Sequence, residues 1–105
     1  PPPCCPRCGG LLRPDVVWFG EMLPSVALEQ AFRASGAADV FLSVGTSGIV
    51  QPAASLPLEA VDAGALVGEI NPDETPLSPW MSILLRGAAG NILPQLLTAV
   101  WPQPD

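Results

Sequence analysis

The sequence predicts an α/β fold, a doubly wound (Rossmann-like) parallel sheet that follows a short zinc-binding segment. Two observations lead to this prediction. Apolar runs of strand length alternate with amphipathic stretches in the order helix, strand, helix, strand, strand, helix, and short loops connect them. A Cys-x-x-Cys pair followed by two glycines precedes these elements, and in that arrangement two thiolates can turn toward one zinc ion.

The Cys-x-x-Cys pair consists of Cys5 and Cys8, which we interpret as two thiolate ligands of a structural zinc ion. All three cysteines lie within the first eight residues, which favours metal binding over a disulfide framework. Cys4 is a spare, because adjacent residues rarely both face one small ion. A structural zinc site has four ligands, so at least one further pair must come from outside this chain. The alternative is a pair of reduced, solvent-facing cysteines near a frayed terminus.

The next segment is an apolar run that ends in glycine and glutamate: Val16, Val17, Trp18, Phe19, Gly20 and Glu21. We interpret it as an exposed strand that can pair with an extended peptide by β-augmentation. The alternative is a core strand with Trp18 and Phe19 buried. Partial burial of these two rings is expected in either case.

The first predicted helix has Ser25 as its N-cap and Glu29 in its first turn, and it ends near Gly36. Its apolar positions recur at helical spacing. The first predicted strand follows over residues 40–44. It is almost continuously apolar, as is typical of parallel strands that are buried on both faces.

A second helix is predicted from Pro52 to about Ala63, with Pro57 in its first turn or at a kink and Gly64 as its stop. Two further strands are predicted over residues 65–70 and 82–85.

The last predicted helix spans about residues 91–100, and Pro94 fits its first turn. The tail, residues 102–105, is expected to be frayed.

Small or hydrogen-bonding residues follow each predicted strand. They are Gly45, Thr46 and Ser47, then Asn71, Pro72 and Asp73, and finally residues 87–90. In doubly wound sheets ligands bind beyond the carboxyl ends of the strands, so these loops predict a nucleotide-binding rim. Glycine lets a ligand approach the backbone closely, and hydroxyl and amide groups can bind phosphate or ribose. The alternatives are an ordinary strand-to-helix turn at Gly45 and an Asx turn at Asn71.

Composition excludes several classes of function. The net charge is −6 and the only cations are four scattered arginines, so there is no basic stripe and direct nucleic-acid binding is not expected. No apolar run is long enough to span a bilayer, and no signal peptide is visible. We therefore expect a cytoplasmic protein without a membrane partner. The chain has no histidine and cannot supply an imidazole general base.

Three strings resemble one family, the sirtuins, which are NAD-dependent protein-lysine deacylases. They are GGLLRPDVVWFGE after the cysteine pair, VGTSGIVQPAA after the first strand, and NPDETP, which begins at Asn71. The resemblance is to the bacterial or class III type and runs from about Cys5 to Leu97.

The resemblance implies roles for individual residues. Gly45, Thr46 and Ser47 would belong to the NAD rim, Asn71 would contact the adenosine ribose with Pro72 and Asp73 beside it, and Ala88 and Ala89 would face the adenine. Residues 16–21 would bind the acyl peptide. Val17 would offer its carbonyl oxygen to the acyl-lysine amide, and Phe19 would pack on the aliphatic stem of the lysine.

Several sirtuin elements are absent from this sequence: the Gly-Ala-Gly-x-Ser loop, the catalytic histidine, the Asn-x-Asp site and the first cysteine pair. The resemblance therefore implies the C-terminal part of a deacetylase or desuccinylase, with NAD and acyl-lysine proteins or peptides as partners and zinc as a structural ion. Residues 1–18 would be the second half of the zinc module, residues 19–101 part of the Rossmann-like domain, and residues 102–105 a tail. Alone, the chain should be inactive. The alternative is a non-catalytic nucleotide- or peptide-binding module.

Overall fold

The computed structural model describes residues 1–102, so most of the predicted tail, residues 103–105, lies outside the described residues. The fold is α/β, as predicted. Three α-helices, three strands and two short 3-10 helices follow one another along the described part of the chain. They are α1 (Ser25–Gly36), β1 (Val40–Val44), a 3-10 turn (Ala53–Ser55), α2 (Leu56–Asp62), β2 (Leu66–Ile70), a second 3-10 turn (Ser78–Trp80), β3 (Ile83–Leu85) and α3 (Ala89–Val100).

The three strands form one parallel sheet in the order β1-β2-β3. The register places Val44 beside Ile70, and Ile70 beside Leu85. The carboxyl ends of all three strands therefore lie along one edge of the sheet. This alignment brings the loop after each strand to the same side of the molecule, as the sequence predicts for a ligand-binding edge.

Helix α1 begins one residue earlier than predicted. Pro24, not Ser25, occupies the N-cap position, and no side chain caps the helix. Proline has no side-chain acceptor for the free N–H groups of the first turn, so the predicted cap was wrong. Glu29 lies beyond the first turn, where its carboxylate accepts a hydrogen bond from Arg33 over 2.7 Å. That pair is exposed and one helical turn apart, so it adds little to stability.

The second predicted helix is divided into a 3-10 turn and α2. Pro57 lies in the first turn of α2 as expected, because the missing N–H is not needed there. The helix ends before Gly64, whose φ of 89° is accessible mainly to glycine. Both predictions are confirmed.

Helix α3 starts at Ala89, two residues earlier than predicted, and Pro94 consequently lies inside it. The extended backbone of Ala88 caps the helix, and its carbonyl oxygen accepts hydrogen bonds from Asn91 and Ile92. The prediction that Pro94 lies in the first turn was wrong. Because proline lacks an N–H, it cannot donate to the carbonyl of Gly90, and the helix has one hydrogen bond fewer.

The apolar core is small and lies around β2. Its buried members are Ala54, Ala60, Val67, Ile70 and Leu77. Helix α2 contacts both β1 and β2, and α1 packs against α2. The radius of gyration is 18.0 Å, whereas a compact domain of this length has about 13 Å. The described chain is therefore open, with much of its apolar surface uncovered.

Burial on both faces was predicted for β1 and is wrong there, whereas four of the five residues of β2 are buried. Val40, Leu42 and Val44 share one face of β1 and are all exposed, with Val40 at 58%. On the opposite face Ser43 is buried. The reason is that β1 is an edge strand and no element within residues 1–102 covers that face.

No helix in this part of the chain is long and apolar enough to cross a membrane.

Candidate functional site

Three loops meet at the carboxyl edge of the sheet, and we name each after the strand that it follows. The β1 loop covers residues 45–52, the β2 loop residues 71–77 and the β3 loop residues 86–88. Hydrogen bonds tie them to the neighbouring strands. The Gly45 amide donates to the Ile70 carbonyl over 2.9 Å, and the Asn71 amide donates to the Leu85 carbonyl over 3.2 Å. The rim predicted from the sequence is thus one continuous edge.

The β1 loop makes a tight turn at two glycines. Gly45 has a φ of 63°, and a Cβ built on it would meet no atom within 4 Å, so its backbone faces open space. Gly48 also has positive φ, at 65°, but a Cβ there would lie 2.7 Å from Cδ1 of the buried Leu77. Between them, the Thr46 hydroxyl accepts a hydrogen bond from the Gly48 amide, and Ser47 is exposed. The turn therefore packs against the β2 loop and leaves its outer backbone accessible.

Asn71 connects the β1 and β2 loops. Its Nδ2 donates to the Thr46 carbonyl over 2.8 Å, and its Oδ1 accepts from the Asp73 amide over 3.2 Å. The second bond is the Asx turn that the sequence left open as an alternative. Both ends of the side-chain amide are therefore engaged within the protein. Pro72 and Asp73 are exposed beside it.

The β3 loop closes the edge. The Gly87 amide donates to the Asn71 carbonyl over 3.3 Å, which joins the β2 and β3 loops. Ala88 is exposed at the N-cap of α3, and Ala89 is the first, half-buried residue of that helix. The structure thus brings together the residues that the sequence predicted for the rim.

Sequence reasoning missed a polar cluster behind this rim. It is centred on Glu69, which is 1% exposed within β2 and accepts hydrogen bonds from the side chains of Thr75, Ser78 and Arg86. A glutamate within an otherwise apolar strand was the available signal, because a buried carboxylate needs partners. Burial alone would raise the pKa of the Glu69 carboxyl. The hydrogen bonds from the three side chains and the Arg86 charge outweigh it and hold that pKa below its usual range.

Residues 16–21 are not a strand, so that prediction was wrong. The segment is unpaired within the described chain and bends into a turn in which the Glu21 amide donates to the Trp18 carbonyl over 3.0 Å. The segment is exposed as expected. Phe19 is 91% exposed, so the partial burial predicted for its ring is also wrong, while the exposed fraction of Trp18 is lower, at 54%. Without a neighbouring strand, the backbone follows the local turn.

An ion pair holds this turn in shape. Arg13 donates from both terminal nitrogens to the Glu21 carboxylate at 3.0 and 3.2 Å, and its guanidinium also bonds the Val16 carbonyl. The same carboxylate accepts from the Trp18 amide, and the guanidinium lies 5.8 Å from the centre of the Trp18 ring. The Arg13 side chain and the Trp18 amide hold the pKa of the Glu21 carboxyl below its usual range.

An open apolar groove of about 430 Å³ lies beside residues 17–23. Its other walls are Ser25 and Leu28 of α1 and residues 50–53, which run from the β1 loop into the first 3-10 turn. The stretch that starts at the rim with Gly45 therefore reaches the groove within a few residues. The rim and residues 17–23 are far apart in the sequence, but this stretch connects them and they are adjacent in space.

The cysteine segment folds into a small knuckle. The Cys5 amide donates to the Gly10 carbonyl over 2.8 Å, and the Gly9 amide donates to the Cys5 carbonyl over 2.9 Å. The backbone N–H groups of Arg7 and Cys8, with the Cys8 thiol, hold the pKa of the Cys5 thiol below its usual range. Such hydrogen bonds favour the thiolate that zinc requires, so this donor set fits two of four zinc ligands. Residues 1–102 contain no cluster of three or more metal-ligating side chains.

Comparison with known proteins gives one consistent result. A model of the Sir2 family matches residues 1–52. The NAD-dependent protein deacylase 1 of Archaeoglobus fulgidus is 54% identical over 100 residues, which cover 95% of this chain and 41% of that protein. A solved Sir2 homolog–NAD complex superposes with a TM-score of 0.86 at 54% identity, over 95% of this chain and 39% of that one. A Sir2–p53 peptide–NAD+ complex superposes with a TM-score of 0.82 at 33% identity, over 93% and 41%.

These matches agree in the share of each relative that they cover and in their sequence identity to this chain. The chain spans about two-fifths of the length of the curated relatives that it matches. Nearly all of it aligns, at about half identity, with proteins of one family, and its fold superposes on theirs. The chain belongs to the Sir2 family and carries part of the sirtuin domain.

Proposed function

We propose that this chain is part of an NAD-dependent protein-lysine deacylase, in which it forms one side of the NAD site and one wall of the acyl-peptide site. The observation that carries the proposal is the continuity of residues 45–53. This stretch begins at the rim and also lines the apolar groove, so a nucleotide and a peptide bound there would meet. The relatives named above carry deacylase names or were solved with NAD and with a peptide.

The three loops suit the adenosine half of NAD. The open backbone at Gly45 and the hydroxyls of Thr46 and Ser47 can approach phosphate or ribose oxygens. Asn71, Pro72 and Asp73 would lie along the ribose, and the small side chains of Ala88 and Ala89 leave room for a flat base. The main contribution of Asn71 would be to join the β1 and β2 loops, because both ends of its side-chain amide are already hydrogen-bonded within the protein.

The groove suits an acyl-lysine side chain and the peptide that carries it. Val17, Trp18, Phe19, Gly20 and Glu21 form its outer wall as a preformed turn, which the Arg13–Glu21 ion pair holds, and Val16 leads into that turn. The nearly free ring of Phe19 can close on the aliphatic stem of a lysine, while an unpaired backbone carbonyl such as that of Val17 can accept the amide N–H.

Cys5 and Cys8 would hold a structural zinc ion together with two ligands from elsewhere in the protein. When bound, zinc stabilises the fold of this segment and takes no part in the reaction. The general base that activates a ribose hydroxyl must also come from elsewhere, since the chain has no histidine. We place the protein in the cytoplasm.

The test is a chimera in which residues 1–105 replace the matching segment of the Archaeoglobus fulgidus relative, assayed with NAD and an acetyl-lysine peptide. We expect NAD-dependent deacetylation by the chimera and none by residues 1–105 alone. A folded, zinc-loaded chimera that fails to bind NAD would contradict the proposal. If the separate chain bound NAD and the chimera did not turn over, the chain would instead be a non-catalytic binding module.

A further inference from the structure

Glu69 is the only acidic side chain among residues 1–102 that is fully buried, and both of its carboxylate oxygens accept hydrogen bonds. The Ser78 hydroxyl and Arg86 Nη1 donate to its Oε1 over 2.7 and 2.6 Å, and the Thr75 hydroxyl donates to its Oε2. A carboxylate in a strand interior is strongly disfavoured unless it is paired and hydrogen-bonded, as this one is. All its partners lie in or beyond the loops at the carboxyl edge.

Arg86 extends the cluster from Glu69 to the backbone of the β2 loop. Its Nη1 donates to the Asp73 carbonyl over 2.9 Å and lies 3.5 Å from the Asn71 carbonyl, while its Nη2 donates to the Ser78 hydroxyl over 3.0 Å. A planar guanidinium offers donors in a fixed geometry, so it can bond a carboxylate and backbone carbonyls together. The carboxylate in the sheet therefore fixes the guanidinium, and the guanidinium fixes the turn at residues 71–73.

Thr75 and Ser78 complete this arrangement on the other side. The Thr75 amide donates to the Ser78 hydroxyl over 2.9 Å, and the Leu77 amide donates to the Thr75 hydroxyl over 3.2 Å. The β2 loop is thus held at both ends by side chains that converge on one carboxylate. Ser78 is buried and Thr75 is half-buried, whereas the Arg86 side chain is 31% exposed.

We propose that Glu69 and Arg86 are positioning residues for NAD, because they hold the β2 loop in the shape that places Asn71 and Asp73 against the adenosine ribose. This inference rests on the proposed function and adds to it two residues that touch no substrate. It predicts that breaking the pair weakens NAD binding selectively and leaves the peptide groove, which lies outside the cluster, unchanged.

The test compares Glu69→Gln and Arg86→Gln with a matched control in the intact protein. Glu74→Gln is that control, because Glu74 is an exposed glutamate of the same loop and makes no hydrogen bond or ion pair within the described chain. We expect the dissociation constant for NAD to rise roughly tenfold in both cluster variants, as for the loss of a hydrogen bond to a charged group. The dissociation constant for an acetyl-lysine peptide should stay within about twofold, and Arg86→Lys should recover part of the NAD affinity.

Equal weakening of NAD and peptide binding in variants that still fold would overturn the positioning role. Equal NAD affinity in Glu69→Gln and Glu74→Gln would overturn it as well, while leaving the proposed function intact. An unaltered protein that binds no NAD would overturn both.

Thr75→Ala provides a milder variant in case Glu69→Gln does not fold. It removes one donor to the carboxylate, and it should raise the dissociation constant for NAD by a few fold with the peptide unaffected. Amide hydrogen exchange gives a second readout. Exchange at Asp73 and Gly87, whose amides close the turn, should accelerate in the variants while exchange within β2 stays slow. Unchanged exchange at both amides would contradict the proposal.

Discussion

Asn71 and Thr46 are 25 residues apart in the chain, yet the side-chain amide of one donates to the backbone carbonyl of the other over 2.8 Å. This bond joins the β1 loop to the β2 loop at the carboxyl edge of the sheet. The two loops therefore form a single rim in the absence of a ligand. Five predictions follow from this arrangement and from the features around it, and every substitution in them is made in the intact protein.

Replacing Asn71 by aspartate tests the connection between the loops. Aspartate keeps the acceptor for the Asp73 amide but loses the donor to Thr46 and places a negative charge near a carbonyl oxygen. We expect a loss of about 1 kcal/mol in the free energy of unfolding, measured in denaturant, and weaker NAD binding. Asn91→Asp is the matched control. Because it places the same charge near the start of α3, it should be neutral or slightly stabilising.

Gly48→Ala should destabilise the protein more than Gly45→Ala. Both glycines have a φ near 65°, so alanine incurs similar backbone strain of about 1–2 kcal/mol at either position. Only at Gly48 would the new Cβ collide with Leu77, at 2.7 Å. We expect an additional loss of about 1–3 kcal/mol there, measured by chemical denaturation. Equal losses would show that Leu77 moves aside freely.

Glu21→Gln should weaken peptide binding with little change in melting temperature. The pair with Arg13 is exposed, so its contribution to global stability is small. It does hold the turn that carries Trp18 and Phe19, and glutamine cannot keep the charge that holds Arg13. We expect a higher KM for an acetyl-lysine peptide and an unchanged KM for NAD. Glu29→Gln, which breaks the exposed pair with Arg33 on α1, should change neither value.

Acidification should destabilise the protein partly through Glu69. The pKa of its carboxyl is lower in the folded protein than in the unfolded chain, so the resulting stability is fully present above the ordinary value of about 4.3 and is lost as the pH falls through the folded pKa. The free energy of unfolding of the unaltered protein should fall more steeply below about pH 4.5 than that of Glu69→Gln. Arg86 is the charged group that faces the carboxyl. Glu74→Gln should follow the unaltered protein, and parallel curves for all three proteins would contradict this assignment.

Zinc content tests the knuckle. Cys5→Ser or Cys8→Ser should release zinc and lower the melting temperature, because most of the roughly 10–16 kcal/mol that structural zinc supplies requires all four ligands. Cys4→Ser should keep zinc, since adjacent cysteines rarely both face one ion and the hydrogen bonds at the Cys5 thiol come from Arg7 and Cys8, not from Cys4. Residues 1–102 alone would supply only two of the four proposed ligands, so we expect them to bind zinc weakly. Full zinc content without Cys5 and Cys8 would show that they are not ligands.

Local sequence patterns predicted the sheet well. The bounds of β1 were correct to the residue, because a run of five residues, apolar except for Ser43, is framed by Asp39 and Gly45. The loops at the carboxyl edge followed from the parallel order of the strands. The start of α3 was harder to predict from the sequence, because Ala88 caps the helix through its backbone conformation and its side chain gives no capping signal.

The failures share a physical reason, which is dependence on distant parts of the fold. The apolar run at residues 16–21 predicted a strand, but a strand needs a neighbour, and the local Arg13–Glu21 pair bends the segment instead. The partnership of Glu69 with Arg86 spans 17 residues and two strands, so the spacing between them carries no pattern. The burial expected for β1 likewise depends on an element that would cover it.

That uncovered strand affects how the separate polypeptide should behave. Within residues 1–102, β1 pairs only with β2, so its other edge presents a row of free backbone N–H and C=O groups beside exposed valine and leucine side chains. Such an edge is a template onto which another extended chain can be added, and it lacks the charges or prolines that usually protect one. A solution of this chain alone should therefore accumulate intermolecular β-structure as its concentration rises.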